Sequence, residues 1–116
     1  MLIKDVAGLT GGKIVCGLNH IDEGHLVEHA FSSDLMSDVL TLDSDNLLLI
    51  TGLTNLQTIR TAEMSDISAI LFVRNKKVSE EMIILAEELD MILMECPKSM
   101  YAASGILYNA GLKEVF

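Results

Sequence analysis

A three-layer α/β/α fold with a mainly parallel sheet of about five strands is predicted by three features of the 116-residue chain. Three apolar runs, Leu47-Leu48-Leu49-Ile50-Thr51, Ala69-Ile70-Leu71-Phe72-Val73 and Met91-Ile92-Leu93-Met94-Glu95, each begin 22 residues after the last. The segments between them repeat their apolar positions with helical rather than alternating spacing. The runs themselves are continuously apolar, as parallel strands covered on both faces require. The L-x-x-L-x-L pattern of leucine-rich solenoids is missing, so the period is that of a βα unit.

The elements follow in chain order. Residues 2–9 form a short helix that stops at Gly11-Gly12 and leads into an apolar strand, Lys13 to Cys16. A polar segment, Asn19-His20-Ile21-Asp22-Glu23-Gly24-His25, precedes strand-like residues over 27–31. Ser33 can cap a brief helix over 34–40, and Asp43-Ser44-Asp45-Asn46 turns the chain into the first regular strand. The next helix starts after Thr54-Asn55, either of which can cap it, and buries Leu56, Ile59 and Ala62. Ser79 caps the following helix, where Glu80 and Glu81 complement the positive end of the dipole and Met82, Ile83, Ala86 and Leu89 form the buried face. The last helix follows Pro97-Lys98-Ser99 and ends at Gly111, whose left-handed conformation would bring Leu107 against Leu112.

Residues 1–116 read as one domain, because no linker divides them and a chain of this length buries roughly 65% of its unfolded surface. Half of the residues are apolar, aromatics are only 4% and Trp is absent, so the core is aliphatic and drawn from Leu, Ile, Val, Ala and seven Met. Of these, Met36, Met64, Met94 and Met100 could instead supply soft apolar surface for a partner. Eight Lys and Arg against 17 Asp and Glu give a net charge of −9, which excludes a nucleic-acid footprint on global grounds. No apolar run reaches the 18 residues of a membrane span, and no signal peptide opens the chain, so the expected location is cytoplasmic. Cys16 and Cys96 stand 80 positions apart outside any C-x-x-C motif and are read as reduced and buried.

Ligands of open parallel sheets bind beyond the carboxyl ends of the strands. That rule selects Thr51, Gly52, Thr54 and Asn55 after the first regular strand, Arg74 with Lys76 and Lys77 after the second, and Lys98 and Ser99 after the third. Two readings stand side by side: an anion or nucleotide pocket, or a tight turn with helix caps and solubilising lysines. Neither G-x-x-x-x-G-K-[ST] nor G-x-G-x-x-G occurs. His20, His25 and His29 raise a metal site, but the order His25-Leu26-Val27-Glu28-His29 is not H-E-x-x-H, and solvated loop histidines are expected. No G-x-S-x-G elbow marks a nucleophile. Asp34 and Asp38, four residues apart, read either as a functional loop-helix or as capping and solvation.

The run Ser33-Asp34-Leu35-Met36-Ser37-Asp38-Val39-Leu40, the run Leu49-Ile50-Thr51-Gly52-Leu53-Thr54-Asn55, and the unit carrying Leu85-Ala86-Glu87-Glu88-Leu89 before Met91 have a familiar order and spacing. Over essentially its whole length the chain resembles a free-standing DRTGG domain, similar to the N-terminal domain of HPr kinase/phosphorylase. The Asp-Arg-Thr-Gly-Gly string itself is not present; Thr10-Gly11-Gly12 and Thr51-Gly52 are partial echoes. In the kinase relatives catalysis belongs to a separate P-loop domain, so the resemblance implies a non-enzymatic part. In relatives with CBS domains it implies an accessory to nucleotide-regulated modules that helps form dimers, and free-standing copies look like regulatory proteins of anaerobic bacteria. The expected function is therefore a non-catalytic regulatory or protein-interaction module without a cofactor. It would work as a homodimer, with a protein partner or a small anionic ligand at Thr51, Gly52, Thr54, Asn55, Arg74, Lys98 and Ser99. The alternative is a small enzyme acting on a phosphorylated or carboxylated metabolite at the same strand ends.

Overall fold

The computed structural model describes residues 1–17 and 25–116. Its elements are α1 (Ile3–Thr10), β1 (Lys13–Cys16), β2 (His29–Ser32), α2 (Met36–Val39), β3 (Leu47–Thr51), α3 (Leu56–Met64), β4 (Ala69–Phe72), α4 (Glu80–Glu88), β5 (Ile92–Glu95), α5 (Met100–Asn109) and β6 (Lys113–Glu114). The strands form one six-stranded sheet in the order β1-β5-β4-β3-β2-β6. All neighbours run parallel except β1, which lies antiparallel to β5. This is the three-layer α/β/α architecture that the apolar runs predict.

Strand geometry divides the core in two, because successive side chains point to opposite faces. Leu48, Ile50, Leu71, Ile92 and Met94 pack with Ile3 and Val6 of α1 and Ala103 and Leu107 of α5. Leu49, Ile70, Phe72 and Leu93 pack on the other face with Val39 of α2, Ile59 and Ala62 of α3, and Met82 and Ala86 of α4. The central strands β3, β4 and β5 are buried at every position because both of their faces are covered.

The caps are those the sequence marks. Asn55, Ser79 and Ser99 accept hydrogen bonds from the N–H groups of Thr58, Met82 and Ala102, each worth about 1 kcal/mol. Gly11, at φ 71°, closes α1. Gly111, at φ 110°, follows α5, and the Leu112 N–H reaches the Leu107 carbonyl at 3.1 Å.

Four details differ from the sequence reading. Strand β2 is His29–Ser32 rather than 27–31, because Val27 is buried and paired instead with Met1 through bonds of 2.8 and 2.9 Å. Helix α2 is limited to Met36–Val39 because the Asp34 side chain is engaged elsewhere, and Ser33 accepts from the Leu35 N–H as a turn ahead of the helix. The two residues of β6, too short and polar to carry a strand pattern, add a sixth strand beside β2. The methionines mainly fill space: Met94 is buried and Met36 and Met100 are half-buried, leaving Met64 exposed among the four marked as surface candidates. No helix among the described residues is long and apolar enough to cross a membrane.

Candidate functional site

The carboxyl ends of β2, β3 and β4 meet at one edge, where the fold brings three of the selected residues around a fourth group, the Asp34 carboxylate. Strand β2 ends at Ser32, so Asp34 lies just beyond it and reaches across to the end of β3. Its Oδ1 accepts from the Gly52 N–H at 2.7 Å and from the Thr51 hydroxyl at 2.9 Å. Oδ2 lies 3.7 Å from the Arg74 guanidinium, which arrives from the end of β4. Burial pushes the Asp34 carboxyl upward, but the Gly52 N–H, the Thr51 hydroxyl, the Arg74 charge and the Leu53 N–H outweigh it and hold the group below the usual carboxylate value.

Local backbone chemistry explains why these groups point inward. Thr51 is fully buried at the last position of β3, and its Oγ1 also accepts from the Leu53 N–H at 3.1 Å, forming a tight turn. Gly52 is required by close approach: a Cβ there would stand 2.6 Å from Arg74 Nε and Nη2. Arg74 and Asn75 both adopt left-handed backbone, at φ 62° and 59°, a conformation that is uncommon for Arg and costs of order 1 kcal/mol or more. Two hydrogen bonds offset this, from the Arg74 N–H to the Lys98 carbonyl at 2.7 Å and from the Asn75 N–H to the Cys96 carbonyl at 3.0 Å.

The remaining selected residues have other places. Thr54 donates its hydroxyl to the Gly52 carbonyl at 3.2 Å, while Asn55 and Ser99 are occupied as caps. Lys98 is exposed, and its contact with the site runs through its backbone carbonyl. The cations of this edge are also less uniform than the sequence suggests. Lys77 lies 3.7 Å from Glu95, a carboxylate only 6% exposed that accepts from the Val78 N–H at 2.7 Å and has Lys13 at 3.9 Å. A small hollow of about 260 Å³ opens beside it, between Gly12, Lys13, Asn75 and Lys77. The sequence marks Asp34 as one of a pair with Asp38, read as a functional loop-helix or as capping and solvation; its reach to the end of β3 is not written in its neighbours.

His29 and His25 are paired with different serines, Ser44 at 3.5 Å and Ser68 at 3.2 Å. His20 lies outside the described residues, and among the described residues no group of three His, Cys, Asp or Glu side chains could hold a metal ion. Cys16 and Cys96 are both buried and unbridged, as expected. Burial, and then the charge of Glu87, push the Cys16 thiol upward.

No family model matches the chain, and no curated protein matches it. Among solved structures, it is similar to the CBS and DRTGG domains of the regulatory region of a Clostridium perfringens pyrophosphatase, determined with the activator diadenosine tetraphosphate. The TM-score is 0.68 at 10% identity, over 90% of this chain and 45% of that one, so the chain spans less than half of the protein it matches. At that identity the likeness is one of fold. The chain has the fold of a DRTGG-like α/β domain.

Proposed function

We propose that the chain is a non-catalytic regulatory module that senses a small anionic ligand, with the phosphate of a nucleotide as the candidate class, at the Thr51-Gly52-Arg74 strand ends. One observation carries this reading: the Gly52 N–H, the Thr51 hydroxyl and the Arg74 guanidinium already hold an anion, the chain's own Asp34 carboxylate. A phosphate oxygen would use the same donors. Its arrival would displace Asp34 and release the segment leading to α2, so occupancy would be converted into a change of conformation. Thr54 and Lys98 border the cradle, and Asn55 and Ser99 fix the helices behind it.

The regulatory character of the Clostridium perfringens neighbour, and the nucleotide activator in its structure, support this reading. The rival, a small enzyme acting on a phosphorylated or carboxylated metabolite, needs a proton carrier with a pKa near the working pH. The ionisable group at the cradle is Asp34, and its environment moves it away from that range.

Isothermal titration with inorganic phosphate, ATP and diadenosine tetraphosphate tests the proposal. The wild-type chain should bind at least one of them, Arg74→Ala should weaken binding tenfold or more, and Asp34→Ala should tighten it by removing the internal competitor. Absence of binding by both the wild type and Asp34→Ala at millimolar ligand would overturn the reading.

A further inference from the structure

The hollow of about 260 Å³ at the carboxyl end of β5 has three charged groups among its described lining residues: Lys13, Lys77 and Glu95. Antiparallel pairing of β1 with β5 sets Lys13 opposite Glu95, so the two side chains share a face. Gly12 is required just before Lys13, because a Cβ there would stand 2.5 Å from the backbone carbonyl oxygen of Glu95. Lys77 is brought by the loop after β4, which Glu95 Oε2 holds by accepting from the Val78 N–H at 2.7 Å.

The second oxygen of that carboxylate is the unusual group. The Glu95 side chain is only 8% exposed, and buried carboxylate oxygens are ordinarily hydrogen-bonded. Among the described residues, Oε1 has Lys77 Nζ at 3.7 Å and Lys13 Nζ at 3.9 Å, both beyond hydrogen-bond distance. The two lysine side chains are 65% and 69% exposed, so neither is held tightly to this oxygen. Two ammonium groups and one carboxylate also leave a local surplus of one positive charge on a chain of net charge −9.

We propose that this hollow binds an acidic α-amino acid, an aminodicarboxylate of the aspartate or glutamate class. The charges of such a ligand are the inverse of those of the site. Its two carboxylates answer Lys13 and Lys77, and its ammonium group donates to Glu95 Oε1 in charge-assisted hydrogen bonds. Simpler ligands leave a group unanswered. A metal cation or a plain amine meets two lysines with repulsion. Phosphate, or a dicarboxylate without an amine, satisfies the lysines but brings like charge against Oε1. An amino acid with one carboxylate leaves one lysine unpaired. The site is separate from the Thr51-Gly52-Arg74 cradle and does not rest on it.

NMR titration of the full chain, following the backbone amide signals of Gly12, Lys13, Asn75 and Lys77, reads the outcome. L-aspartate or L-glutamate at millimolar concentration should shift these signals saturably. Glutarate, which lacks the ammonium group, and L-glutamine, which lacks the second carboxylate, should each bind tenfold or more weakly. Lys77→Ala, at an exposed position, should keep a cooperative melt and raise the dissociation constant tenfold or more. Glu95→Gln keeps an acceptor for the Val78 N–H and should remove the preference for L-glutamate over glutarate. Absence of saturable shifts with both amino acids at tens of millimolar overturns the proposal. So does equal binding of glutarate or inorganic phosphate, because the hollow is then an unselective anion site, and so does wild-type affinity in Lys77→Ala. None of these results touches the cradle, which is tested by phosphate binding and Arg74→Ala.

Discussion

Gly52 lies directly beneath the guanidinium of Arg74, at a distance that leaves no room for a methyl group: a Cβ on Gly52 would stand 2.6 Å from Nε. The backbone of one strand end thus serves as a platform for the side chain of the next, and the Arg74 charge is aimed at Asp34 by that platform.

Gly52→Ala should therefore move Arg74 without unfolding the protein, since the clash falls on the far end of a flexible side chain. Urea denaturation should show a change within about 1 kcal/mol. The Asp34 carboxyl, read by NMR titration, should move back toward its ordinary value as the cation leaves it, and phosphate affinity should fall with it.

Asp34 sets a sign for the acid limb of stability. Its folded-state pKa lies below the model-peptide value of 3.8, so the folded state favours the ionised form. The stabilisation is fully present above the unfolded pKa and is lost as pH falls through the lower folded value. Asp34→Asn should flatten the stability curve below about pH 4. The effect should be modest, because the carboxyl is 45% exposed and screened by solvent. Denaturation midpoints of wild type and variant at pH 6, 4 and 3 measure it.

Glu95 should matter more to stability than to phosphate affinity at the cradle. Glu95→Ala strands the Val78 N–H that its Oε2 now satisfies at 2.7 Å, and leaves Lys13 and Lys77 without their carboxylate. A loss of about 1–3 kcal/mol is expected from the orphaned donor. Glu95→Gln keeps an acceptor and should lose less, a difference that equilibrium denaturation resolves.

The two thiols should be inert in the folded chain. Cys16 and Cys96 are buried, and the Cys16 thiol is pushed further from ionisation by burial and by Glu87. At pH 7.5 a thiol reagent should modify neither within minutes, and both promptly in guanidinium. Fast labelling of Cys16 in native buffer would contradict its placement under α4.

The second half of the chain was legible because each of its signals is local. Leu47, Ala69 and Met91 open runs that are apolar on both strand faces, and Asn55, Ser79 and Ser99 cap with their own side chains. The first half depends on contacts between distant residues. Val27 is paired by the N-terminal residue, β6 has two polar residues on an outer strand, and Asp34 is bound by groups 17, 18 and 40 positions away. Of the site, the donors Thr51, Gly52 and Arg74 could be selected by their place after strands. Their partner could not, because nothing in the immediate neighbours of Asp34 reports which strand end its carboxylate will reach.

The left-handed turn at Arg74 and Asn75 also ties two distant parts of the chain together. Its 2.7 Å hydrogen bond ends on the carbonyl of Lys98, the residue before the Ser99 cap of α5. A single backbone bond therefore separates the loop that grips Asp34 from the first turn of the uncharged helix. The loop that carries Arg74 and the residue ahead of α5 are thus joined directly through the backbone, without the core between them.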